Sequence, residues 1–212
     1  MNPFRRFSMI LWILLRSLPP VSWGRLLMPA VFVGSWTGLC ALGLEQPAAF
    51  VWSAVLAQAA HLYAVLPVSA VRQRRLFGRA RTAMWGAVLV CLGLFALQIW
   101  LLNPVVTHRL VSLYGALYLG VTLLGLCGDR VALDRLVPVG APSEVPLPFR
   151  HHLLRLYALT VFLVIVVNES LLIAHVPLGA RVAILSVLPV VLHYLFEIML
   201  RLTCPPLEDG PG

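Results

Sequence analysis

Apolar residues dominate six long stretches of the chain, 26–44, 48–71, 82–102, 110–127, 153–175 and 180–200, and polar residues gather between them. Each stretch is about twenty residues long, the length at which a helix rising ~1.5 Å per residue crosses a ~30 Å hydrocarbon layer. None alternates with a period of two, so strands are not expected; the pattern predicts six transmembrane helices. The breaks are short and turn-like. Glu45-Gln46-Pro47, Asn103-Pro104 and Pro177-Leu178-Gly179 each close a tight hairpin, while the polar runs 72–81 and 128–152 form longer connections.

The start of the chain differs. Arg5 and Arg6 precede the apolar run 7–15, which is too short to span and is followed by Arg16 and Pro19-Pro20 rather than a small-residue cleavage site. Residues 1–25 therefore read as a cytoplasmic, interfacial amphipathic segment ended by the double proline. Residues 26–200 make one six-helix transmembrane domain, and 201–212 a short tail. The expected fold is all-α, a polytopic six-helix bundle.

Charge sets its orientation. All sixteen basic residues are arginine, and the formal charge is +8. With both termini in the cytoplasm, every arginine except Arg109 and Arg181 lies on the inner side, as the positive-inside rule requires. Trp52 and Trp100 then fall at outer helix ends, and Trp23, Trp85 and Tyr157 at inner ends. The basic balance is explained by anionic lipid headgroups and calls for no nucleic acid. A bacterial cytoplasmic (inner) membrane is the expected location. With 60% hydrophobic and 11% charged residues, most of the chain is solvated by lipid.

Enzymatic chemistry leaves no trace in the motifs. HExxH, GxSxG, Walker A and GxGxxG patterns are absent, and Cys40, Cys91, Cys127 and Cys204 lie too far apart for a CxxC pair. The chain is read as non-enzymatic, with no metal and no cofactor, haem b being the alternative. That alternative rests on His61 and His193, each thirteen residues from the outer start of its helix and thus level in depth, as two axial ligands would need.

Polar residues inside spans are costly and need a partner or a purpose. His193, Glu197 and Arg201 follow one another at helical spacing, which predicts an intramembrane ladder near the inner face. Glu169 has no basic residue one turn away. The expected ligand site is an outward-opening polar cavity with Glu169 at its centre, joined by Asn168, Gln98, Tyr114, Tyr118 and Arg109. Tyr114, Tyr118 and Thr122 repeat every four residues and are expected on one face. Small residues at Ala30, Gly34 and Gly38, and at Ala116, Gly120, Gly125 and Gly128, mark expected close helix approaches within the monomer, or between copies in a homo-oligomer.

Three functional classes fit. The first is a transport or membrane-complex subunit with an outward-facing polar site. The second is an accessory or scaffold protein that docks membrane or cytoplasmic subunits through 72–81 and 128–152. The third is a b-type haem electron carrier.

Overall fold

The computed structural model describes residues 12, 20–21, 23–77, 80–128 and 147–203. Among them the chain forms six helices: α1 (Trp23–Ala41), α2 (Gln46–Phe77), α3 (Ala80–Leu101), α4 (Pro104–Cys127), α5 (Leu147–Ile173) and α6 (Leu178–Thr203). Each expected span has its helix. The interfacial segment, most of the proline-rich connection and the tail after Thr203 lie outside the described residues.

Helix ends are set by local chemistry. Gly43 takes φ +84° after α1, and Leu44 N donates to Leu39 O, closing the helix with a left-handed residue. His175 plays the same part after α5 at φ 50°, with Val176 N donating to Leu171 O. At the start of α4 the Asn103 side chain accepts from Val105 N at 2.9 Å, and Pro104 occupies the first turn, where its missing N–H costs nothing.

Three boundaries differ from the hydropathy pattern, the first being α5, which begins at Leu147, six positions before its apolar stretch. α2 is 32 residues long and continues through Arg72, Arg74 and Arg75 to Phe77, so the basic run is mostly helix rather than loop. Arginine and glutamine are good helix formers, and at ~1.5 Å per residue this helix outreaches a ~30 Å hydrocarbon layer. α4 begins at Pro104, six positions before its apolar stretch, which brings Thr107 and His108 into the bundle.

Three helical segments, Pro104–Cys127, His151–Ile173 and Leu178–Leu202, are long and apolar enough to cross a membrane. Between 11% and 22% of the residues in their apolar windows are buried, so most of this apolar surface faces outward. Exposure on that scale marks a protein whose surroundings are lipid. Leu26–Ala41 and Val88–Leu101 are shorter apolar helices.

The helices close into a ring. α1 packs along α2, α4 along α5, and α6 bridges α1 and α5; α3 lies against α2, and α2 touches α4 across the middle. Phe50 is the hub of the core. Its ring is edge-on to Phe32 at 5.7 Å and to Trp36 at 6.3 Å, with Ala54, Ala57 and Val182 completing the cluster.

Candidate functional site: a central cavity with buried polar groups in its wall

Five helices, all but α3, enclose a cavity of about 440 Å³. Its wall is mostly apolar: Met28, Pro29 and Phe32 from α1, Phe50, Ala54 and Ala57 from α2, and Leu185, Leu188, Leu192 and Phe196 from α6. The polar side chains in the wall are Gln58, Thr107, His108, Tyr157, Thr160 and His193. A largely apolar space with a few placed polar groups, within the usual ~300–1,000 Å³, is the form that small-molecule sites take. Pro29 and Pro189, each inside its helix, also line it.

Thr107 and His108 are the most deeply buried polar residues of the cavity wall. Both are 1% exposed. The Thr107 hydroxyl lacks a hydrogen-bond partner, while the His108 ring meets the side chain of Asn168. Several helical hydroxyls turn back onto their own backbone, Ser53 onto Ala49 O, Thr122 onto Tyr118 O and Thr160 onto Leu156 O. Those of Thr107 and of the buried Ser186 do not. The His108 ring is held flat against Phe50, with centroids 5.3 Å apart and planes 3° from parallel. Burying a hydroxyl unsatisfied, as at Thr107, costs ~1–3 kcal/mol, so its persistence at a cavity wall needs an explanation.

Around His108 lie several groups singled out by the sequence. Asn168 is fully buried, and its Nδ2 donates to His108 O and to Ser112 Oγ, both at 2.8 Å, pinning α5 to α4. Glu169 and Arg181 are both within electrostatic reach of the His108 ring. Arg181 is largely buried, and its Nε donates to Val176 O just beyond α5.

The remaining predicted residues go elsewhere. Gln98 is fully buried but pairs with Gln58: its Nε2 donates to Gln58 Oε1 at 3.1 Å, and Gln58 Nε2 returns a longer bond of 3.4 Å. Tyr114 and Tyr118 share an exposed face of α4 with Leu117 and Val121, and Arg109 is exposed. Thr122 is buried instead, because eight residues at 3.6 per turn bring it about 80° round from Tyr114. On α6, His193 is buried in the cavity wall, Glu197 is partly buried and Arg201 is exposed in the last turn. His193 lines the cavity, whereas His61 is exposed on α2 and is not part of its wall. No group of three or more His, Cys, Asp or Glu suited to a metal occurs among the described residues.

The apolar stretch 110–127 leaves Thr107 and His108 outside the expected span. The signal lay in Asn103-Pro104: a capping asparagine followed by proline starts the helix there and carries both residues a turn inside. No protein-family model, curated protein or solved structure matches the chain.

Proposed function

We propose that this is a six-span protein of a bacterial cytoplasmic membrane, with both termini inside. In this reading it is a non-enzymatic transport or membrane-complex subunit that holds a small ligand in its central cavity. The observation that carries the reading is a 440 Å³ cavity with Thr107 and His108 buried in its wall, the Thr107 hydroxyl without a partner. A purely structural core would satisfy that hydroxyl or replace it with an apolar group. Under the proposed orientation Thr107 and His108 lie toward the outer face, where the first turns of α4 and the last turns of α5 meet. Glu169 and Arg181 supply charge of both signs beside His108.

Native mass spectrometry of the full chain, released from its own membrane in mild detergent, tests this. The expected result is a co-purifying small molecule whose occupancy drops in Thr107→Val and His108→Phe. Those substitutions keep side-chain volume and, for phenylalanine, the stack on Phe50. A bare chain in wild type and variants alike overturns the proposal.

A further inference from the structure

Charge is what the cavity wall lacks. Among the described residues that line it there is no aspartate, glutamate, lysine or arginine. Its ionisable side chains are His108, Tyr157 and His193, and imidazole and phenol are ordinarily uncharged at about pH 8. Glu169 and Arg181 act on the His108 ring from outside the wall and with opposite signs, so neither offers a contact to what the cavity holds.

A charged molecule placed here gives up water and meets no counter-charge. The desolvation cost of an ion is recovered only by a well-placed opposite charge, and this wall supplies none. An uncharged molecule faces no such penalty. Met28, Phe32, Phe50, Leu192 and Phe196 give it an apolar lining of the kind that holds lipophilic ligands.

The polar groups of the wall are mostly engaged. Gln58 is held by Gln98, and the Thr160 hydroxyl by Leu156 O. The His108 ring lies flat on Phe50 and meets the Asn168 side chain, while Tyr157 and His193 rest against Phe196 and Tyr194. The Thr107 hydroxyl is 1% exposed and has no partner. It has a proton to donate, and an acceptor oxygen on the ligand would take it.

We infer that the cavity takes an uncharged, lipid-soluble molecule bearing a carbonyl or hydroxyl oxygen that accepts from Thr107, and that it excludes ions and ionised metabolites. This rests on the ligand-binding reading proposed above and names the substrate class.

Photo-crosslinking of the full chain in phosphatidylcholine vesicles, at that same pH, provides the test. The probes share one body: benzophenone, its 4-carboxylate and its 4-trimethylammoniomethyl derivative. Benzophenone is uncharged, carries a carbonyl oxygen and is itself the photoreactive group. Labelling of the wall segments 28–32 and 185–196 is read against that of the outward-facing residues Leu89 and Leu92 of α3, so that differences in partitioning into the bilayer cancel. The expected result is benzophenone labelling of the wall, competed by excess diphenylmethanol, with both ionic derivatives at least about tenfold weaker. Thr107→Val should weaken benzophenone labelling about fivefold, the scale of one lost buried hydrogen bond, whereas Thr107→Ser keeps the hydroxyl and should retain it. A retained circular dichroism spectrum in Thr107→Val excludes unfolding as the cause.

Wall labelling by either ionic derivative equal to that by benzophenone, or a co-purifying ion in mass spectrometry, overturns the uncharged class and leaves ligand binding standing. Benzophenone labelling indifferent to Thr107→Val overturns the anchor. Absence of competable wall labelling by all the probes overturns this inference, while the bare chain in mass spectrometry is what sinks the functional reading itself.

Discussion

At the scale of single residues, glycine shows how little a regular spacing says by itself. Gly34, Gly38 and Gly120 sit in runs of small residues, yet a Cβ built on any of them meets nothing within 4 Å. The close approach is at Gly115 instead, where a Cβ would stand 2.8 Å from Ile165 Cγ1 on α5. Small residues in membrane helices admit a neighbour only if the helix turns that face toward one. Gly115→Ala is therefore expected to cost about 1–3 kcal/mol through overpacking, read as a lower folded fraction in a denaturing-detergent titration. Gly120→Ala is the control and should be neutral or slightly stabilising, since alanine is the better helix former. Shortening the obstacle with Ile165→Ala in the Gly115→Ala background should recover part of the loss. Equal effects at 115 and 120 would remove the α4–α5 approach from this account.

Among elements, α3 is the least embedded: it lies against α2, touches α4 only slightly, and exposes Leu89, Val90 and Leu92. Its buried polar anchor is the Gln58–Gln98 amide pair. Where the surroundings are as apolar as the interface, such a bond is worth ~0.6 kcal/mol on average and up to about 2. Gln98→Leu should lower stability by about 1 kcal/mol, because Gln58 is left without its partner. The double change Gln58→Leu with Gln98→Leu should cost less than the two single changes summed, the signature of coupling in a double-mutant cycle. Strict additivity would mean the pair contributes nothing.

The same element shows what hydropathy can and cannot reveal. Six apolar stretches correspond to six helices, because apolar periodicity and backbone hydrogen bonding agree wherever the chain is surrounded by lipid. They part at the ends: α2 runs on through Arg72 to Phe77, since arginine is at ease in a helix whether or not lipid surrounds it. The site was less legible still. Depth along each helix placed Glu169, Asn168 and Gln98 in a common zone, but rotation about each axis decides which of them meet. Gln98 turned to α2, Tyr114 and Tyr118 turned outward, and only Asn168 and Glu169 came near His108.

For the molecule as a whole, orientation is the remaining question that one experiment decides. The short turns at 42–45, 102–103 and 174–177 lie at one end of the ring, because successive helices alternate in direction. Two arginines, Arg109 and Arg181, belong to that end. Arg181 is explained locally: it is largely buried and donates to Val176 O, meeting a carbonyl released where α5 stops. That leaves Arg109 as the exposed basic residue of the turn-bearing end, against Arg72, Arg74 and Arg75 in the last turns of α2 at the other. A bilayer with an anionic cytoplasmic leaflet and positive-inside insertion resolves that asymmetry in one sense. In a chain with Cys40, Cys91, Cys127 and Cys204 replaced by serine, Glu45→Cys and His175→Cys should react with a membrane-impermeant maleimide on intact cells. Ala80→Cys should react only after permeabilisation. The reverse pattern would turn the ring over and put Thr107 and His108 at the inner face. That end of the cavity would then face the cytoplasmic leaflet, a change of access that leaves the cavity's chemistry as it is.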